Sequence, residues 1–409
     1  MKRFFVTVVT MALMPTAALL PATAWAAETP GQHFQLSPDR LAAPYATPAT
    51  ASRSIKVPLT PVTSLILPAG FTSNIFAEGL THARWLAVAP NGDVFLSEAS
   101  AGKITLLRDA DHDGKAETIT TYAERYERPS GLAFHQGALY VGDIRGVWRI
   151  PYRDGDTRAP AGTMLTAPGA FGAGAGNHWT RNIAVSPHGE IVVSIGSASN
   201  VAEERAPRAS IQTLKDGKFT PYGTGLRNPV GVVFYPGTED LYTVVNERDG
   251  LGDGLVPDYL TRVERGGFYG WPYAYIGKHP DPQFGAKRPD LVAATKVPDV
   301  LFQAHSAALG LAFYTATQFP ERFRGGAFVA FHGSWNASKP TGYKVVYVPF
   351  RDKRPEGGYE NFALGFWVRG DADAEVIGRP VGLVVAQDGS LLIADDVANV
   401  VWRVSYAAK

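Results

Sequence analysis

The sequence predicts an all-β fold, a six-bladed β-propeller, and three observations lead to it. One hairpin phrase recurs six times, several of its turns carry residues suited to positive φ, and no sustained amphipathic helical pattern competes with it.

The first three phrases run over residues 86–96 (Leu86-Ala-Val-Ala-Pro-Asn-Gly-Asp-Val-Phe-Leu96), 131–141 and 183–193. The fourth occupies 231–243, the fifth begins at Gly310-Leu-Ala-Phe-Tyr314 and resumes at Gly326, and the sixth occupies 382–393. Asn91-Gly92, His188-Gly189 and Asp388-Gly389 supply the tight turns. A third β-rich run follows several hairpins, as at 103–107, 146–150 and 400–404. Residues 62–67 and 72–76 are expected to lend a strand to the last unit and close the ring. A large β-sandwich is the competing architecture, but it has no reason to repeat one phrase six times.

Ahead of the repeats stand two other segments. Residues 1–26 begin with Lys2 and Arg3, continue as an apolar run to Leu20, and end with Ala22-Thr-Ala-Trp-Ala26. That order is the signature of a secretory signal peptide, so a periplasmic or secreted location is expected. Pro15 and Pro21 interrupt a run already short for a membrane span. Residues 27–61 are rich in Pro, Ala, Thr and Ser and are expected to form an irregular arm before a catalytic domain over 62–409.

There is no cysteine, so stability must come from core burial or metal binding rather than disulfides. A formal charge of +1 with dispersed Lys and Arg argues against nucleic acid as a partner.

Propellers usually place their sites where loops converge at one end of the channel, so the polar loops carry the functional argument. Gly176-Asn-His-Trp-Thr-Arg-Asn182 leads directly into the third hairpin. A histidine there can accept a hydroxyl proton, and an arginine can hold carboxylates or a developing oxyanion. A structural loop histidine is the alternative.

Three phrases, taken in order, resemble the PQQ-dependent soluble sugar dehydrogenases. They are Asn177-His178 with the following strand, turn and strand to Gly196, Gly225-Leu-Arg-Asn-Pro-Val-Gly231, and Arg265-Gly-Gly-Phe-Tyr-Gly-Trp-Pro272. The resemblance spans about residues 64–406, and Ser334-Trp-Asn336 places it nearer the sorbosone and pyranose dehydrogenase branch. It implies that His178 is the general base while hydride passes from the sugar to pyrroloquinoline quinone (PQQ). A tricarboxylate cofactor calls for several cations, and Arg84, Arg181, Arg227 and Arg379 stand at hairpin edges, with Asn228 beside Arg227. Each has an ordinary ion pair as its alternative.

In the soluble glucose enzymes an Arg-Asn pair follows the glycine after this strand. Here the stretch is Gly196-Ser-Ala-Ser-Asn200, so Asn200 survives and the arginine does not. Arg181 or Arg227 is expected to compensate. His332 and His305 flank the fifth unit; His332 is taken as a cofactor contact, and Trp335 as a surface for a sugar ring.

The same resemblance implies a calcium ion in the loop 246–258, where Glu247, Asp249, Asp253 and Asp258 offer hard oxygens among glycines. A second acidic loop carries Asp109, Asp111 and Asp113 in Asp-x-Asp-x-Asp-Gly spacing, which begins like an EF-hand without its flanking helices. A structural calcium and a plain turn both remain open there.

The expected partners are a sugar and a separate electron acceptor, either a soluble carrier or a membrane quinone pool, since no cysteines exist to attach haem. A calcium-dependent propeller hydrolase such as a lactonase and a non-catalytic carbohydrate-binding propeller are the competing functions.

Overall fold

The computed structural model describes residue 1 and residues 28–60, 63–172 and 176–407. The leader expected over 1–26 therefore lies outside the described residues, apart from Met1. Among the described residues the chain is nearly all β, with one short α-helix at Pro289–Ala294, and no helix is long and apolar enough to cross a membrane.

Each hairpin phrase becomes the first two strands of a sheet of four or more strands, antiparallel except where Gly267–Phe268 pairs in parallel with Lys218–Thr224 in the third. The first sheet runs Ala83–Val88, Val94–Glu98, Lys103–Arg108 and Thr118–Glu124 in simple up-and-down order. The next four begin with Gly131–His135, Ile183–Val185, Asn228–Phe234 and Ala308–Phe313. The sixth combines Pro380–Val385, Leu391–Asp395 and Val400–Tyr406 with Phe71–Ala77 from the other end of the chain. The first strand of each sheet touches the first strand of the next, and that of the sixth touches that of the first. The architecture is propeller-like.

The glycine in the hairpin phrase has a packing reason. A Cβ on Gly231 would lie 2.6 Å from the main-chain oxygen of Leu309 in the neighbouring first strand. One on Gly131 would lie 2.5 Å from that of Arg181. Innermost strands meet backbone to backbone, and only glycine leaves room. Between sheets, apolar faces interdigitate; Phe95, Leu139, Val141 and Ile150 share one buried cluster spanning the first and second sheets.

Four first strands slip register where they begin, between Ala83 and Leu86, Pro229 and Val232, Ala308 and Leu311, and Pro380 and Leu383. Such irregularities bend a strand and re-aim its side chains. Arg84, Val230 and Leu309 lie within them, and all three line the central cavity.

Most of the described arm carries no regular structure, and two short pairings hold it to the body. His33–Phe34 adds an antiparallel edge to Tyr359–Ala363, and Ser54–Lys56 pairs in parallel with Ala374–Val376. Glu28 anchors its start on Lys344, whose ammonium is fully buried, at 2.7 Å. Residues 72–76 do complete the sixth sheet, whereas Ile66 makes an isolated bridge to Leu364.

Candidate active site

A cavity of about 580 Å³ opens where the first strands begin. It gathers His178, Arg84, Asn200, Arg227, Asn228, His332, Arg379, Glu247, Asp249 and Asp258 from loops far apart in sequence. His305 and Trp335 line it as well.

His178 sits in the loop entering the third sheet. Its Nδ1 lies 2.9 Å from both the main-chain oxygen and the hydroxyl of Ser197. The carbonyl can only accept, so Nδ1 carries the proton and Nε2 keeps its lone pair. Burial and the nearby Arg227 charge pull the imidazole down to about 3. The imidazole is therefore held neutral at pH 7, with Nε2 able to accept a hydrogen bond or a proton.

The loop that orients His178 is built on Glu204. Its carboxylate accepts from the amides of Ala198 and Ser199 at 2.8–2.9 Å, and from the Ser199 hydroxyl at 2.8 Å. Three orphan donors in a tight loop thus find one acceptor. The same loop presents Asn200.

Arg227 stands beside Asn200, in the neighbourhood from which the arginine of the Ser-Ala-Ser-Asn stretch is missing. Its Nε donates to the Asn200 carbonyl and its Nη2 to the Asn200 side chain, both at 2.9 Å. Nη1 donates to the carbonyls of Glu247 at 2.7 Å and Asn246 at 3.3 Å, and Nη2 reaches Asp249 Oδ2 at 3.3 Å. A planar five-donor group can tie two loops this way; a lysine cannot. With its donors so engaged, Arg227 shapes the cavity wall and adds positive charge.

Glu247, whose carbonyl Arg227 holds, and Asp258 are nearly fully buried. Burial raises Glu247 to about 8 and Asp258 to about 6. Asp258 accepts the amides of Glu247 at 2.9 Å and Ala307 at 2.7 Å, which fixes its plane. Asp249 is held between Arg227 and His305 Nδ1, the latter at 3.2 Å, while His305 Nε2 lies 3.0 Å from the Gly252 carbonyl. Both ring nitrogens of His305 thus face acceptors. Burial opposes its charge, yet Asp249 and Gly252 raise its affinity for a proton above the usual histidine value.

Arg84 and Arg379 form the third wall. Arg84 donates to Asp396 at 2.6 Å and stacks over Trp179 at 5.0 Å, leaving its buried Nε without a protein partner. Arg379 donates to the carbonyls of His332 at 2.7 Å and Gly333 at 2.6 Å. His332 Nε2 lies 2.9 Å from Asp396. Burial and Arg379 lower His332 to about 4. Burial works against the Asp396 charge, but His332 and Arg84 hold the carboxyl well below its usual range.

Other expected residues fall outside the cavity lining. Arg181 is fully buried behind it, over the Phe171 ring at 5.1 Å, with Nη1 on the His178 carbonyl at 2.9 Å. It reaches the cavity through the carbonyls of His178 and Thr180, and its charge helps lower the His178 imidazole. Asp253 turns away from the cavity and accepts from the Ser338 amide at 2.8 Å. Asp109, Asp111 and Asp113 converge with Glu117, their nearest oxygens within 4.8 Å of one another. They connect the third and fourth strands of the first sheet, at the end opposite the cavity.

Sequence reasoning missed Asp396, Ser197 and Glu204. Asp396 had a usable signal: it follows the sixth hairpin in Ala394-Asp-Asp396, the unit that already carried Arg379. Glu204 had none, because its partners are backbone amides.

The oxygens and cations suit specific guests. Two buried carboxylates whose charge is disfavoured by burial fit an oxygen-ligated divalent cation. Arg84, with an unpartnered buried Nε, fits an anionic ligand, whereas the unpartnered buried Oδ1 of Asn228 calls for a hydrogen-bond donor.

Among solved structures, the fold is similar to the calcium structure of the Trichoderma reesei Carbohydrate-Active Enzymes Family AA12 protein. That match has TM-score 0.70 and 20% identity, over 85% of this chain and 98% of that one. The holo form of the pyranose dehydrogenase PQQ domain from Coprinopsis cinerea also matches at TM-score 0.70 and 20% identity, covering 86% and 100%. The PQQ-bound aldose sugar dehydrogenase from Streptomyces coelicolor matches at 0.57 and 16%, covering 83% and 100%. An uncharacterized protein of Borreliella burgdorferi is 28% identical over 374 residues, 86% of this chain and 94% of that protein. Residues 65–256 and 287–407 match the TrAA12-like family, and the chain belongs to it.

Proposed function

We propose that this chain is a PQQ- and calcium-dependent oxidoreductase that oxidises a sugar of the aldose, sorbosone or pyranose type. The observation that carries the reading is the single cavity shared by His178, with its free Nε2, and the buried pair Glu247 and Asp258. Similarity to PQQ-bound and calcium-bound proteins supports it.

When bound, PQQ would supply the two-electron oxidising power that no side chain here has. Glu247 and Asp258 would hold calcium, with Asp249 fixing their loop. Arg84 and Asn228 would contact the cofactor, and Arg379 and His332 would shape its pocket. Asn200, gripped by Arg227, would face the cofactor from the His178 side. His178 Nε2 would take the sugar hydroxyl proton, its tautomer fixed by Ser197. A hydrolase needs the cation and the base but not a cavity lined by arginines, which favours the dehydrogenase.

The six sheets are read as blades of a closed ring, with residues 1–26 as an export leader that sends the protein to the periplasm or beyond. A separate acceptor would then take the electrons. Asp109, Asp111, Asp113 and Glu117 are read as a structural calcium loop remote from catalysis.

The test is to add PQQ and calcium to the purified protein and titrate sugars with an artificial electron acceptor. The expected result is a change in quinone absorbance and sugar-dependent dye reduction. Absence of quinone binding under saturating calcium overturns the proposal.

A further inference from the structure

The N-terminal arm runs along the cavity rim and ties three of its loops together. Tyr45 N donates to the Leu251 carbonyl at 2.8 Å, and Asp253 N donates to Thr47 Oγ1 at 2.8 Å. Between them Gly252 adopts φ +103°, and a Cβ there would lie 2.6 Å from the Thr47 carbonyl oxygen. The arm backbone thus rests directly on the loop that follows Glu247.

Farther along, the Asn336 amide joins three segments. Its Nδ2 donates to the Thr50 carbonyl at 3.3 Å and its Oδ1 accepts from Gly250 N at 3.0 Å. Ser52 N donates to the Trp335 carbonyl at 2.8 Å, and Arg379 Nη1 reaches Ser54 Oγ at 3.3 Å. The pairing of Ser54–Lys56 with Ala374–Val376 then fastens the arm to the body.

Residues 247–256 belong to no strand, so their path is set by side-chain and loop contacts: the arm bonds, the grip of Arg227 and His305, Asn200 on Asp249, Arg248 on Asp281, Ser338 on Asp253, and burial of Leu251, Leu255 and Val256. An oxygen-ligated cation binds tightly when its ligands are held at the right spacing beforehand.

We propose that the arm is a built-in brace for the metal loop, with Thr47 as a positioning residue. The inference rests on the reading of Glu247 and Asp258 as a calcium site. Thr47→Val in the full chain removes the acceptor of Asp253 N at nearly constant volume, and Ser52→Pro removes the donor to Trp335. Calcium alone is titrated by calorimetry in a full-chain background carrying Asp111→Asn and Asp113→Asn, which disables the remote acidic loop, and amide exchange is followed over 249–256 and, as a reference, over Leu391–Asp395.

The expected result for Thr47→Val is calcium affinity about fivefold weaker and faster exchange in 249–256, with the reference strand unchanged. Ser52→Pro should shift both readouts in the same direction. If Thr47→Val loses protection everywhere, Ser52→Pro decides. Unchanged calcium affinity and exchange in both variants would overturn the brace. Failure of the background protein to bind calcium would instead overturn the metal reading, and the exchange comparison would still judge the brace.

Discussion

Arg227 grips both the carbonyl and the side-chain oxygen of Asn200, each at 2.9 Å. One guanidinium therefore locks the loop that presents Asn200 and orients His178 to the loop that carries Glu247.

Replacing it tests that linkage. Arg227→Lys keeps the charge but loses the fork, so calcium affinity should fall by about tenfold or more. Calorimetric titration in the same Asp111→Asn, Asp113→Asn background checks this. Unchanged affinity would mean that the loops are held apart from Arg227.

His178 carries a pH prediction with a definite sign. Its folded-state value of about 3 lies below the ordinary 6.5, so the unfolded chain binds the extra proton between those limits. Its contribution to stability is complete above pH 6.5 and is lost as pH falls toward 3. His178 should accordingly contribute no acid limb with a midpoint near 6.5 to turnover. His178→Ala should retain the quinone and lose about 100-fold or more in kcat. Rate profiles of the unaltered protein and quinone absorbance of the variant check both points.

Glu204→Ala strands the Ala198 and Ser199 amides. The loss should be about 2 kcal/mol in denaturant unfolding, with kcat reduced more than KM because Ser197 no longer fixes the His178 tautomer. Ser197→Ala should do less, since the Ser197 carbonyl still accepts from Nδ1.

Asp396→Asn leaves the buried Arg84 guanidinium without its countercharge. Destabilisation of about 3 kcal/mol is expected, together with weaker quinone binding, measured by thermal unfolding and absorbance titration. Full quinone affinity would remove Asp396 from the support of that wall.

The hairpin phrase made the sheets legible because each repeat states its turn and its two strands locally. Even the close-approach glycines were visible as letters, although their reason lies in the neighbouring sheet. His178 and the acidic loop after Asn246 stood out because histidine and clustered carboxylates announce chemistry wherever they fall. Arg181 and Arg227 looked equivalent in sequence, both near a first strand. Only packing separates them, since one stacks on Phe171 behind the wall and the other spans two loops. The docking of the arm was illegible for a different reason: its partners lie hundreds of positions away, 206 in the Asp253 to Thr47 bond and 320 in the Arg53 to Asp373 bond, and local composition says nothing of distant edges.

The pairing of Phe71–Ala77 with Val400–Tyr406 also sets a clock. Thr72 and Ser405 touch across 333 positions of chain. At roughly 5–20 residues per second, an early strand waits on the order of tens of seconds for its mate during synthesis. Throughout that interval the sixth sheet has an open edge and the molecule cannot finish folding. Translation thus leaves a window in which the nascent polypeptide is a substrate for chaperones and for any machinery that handles only unfolded chains.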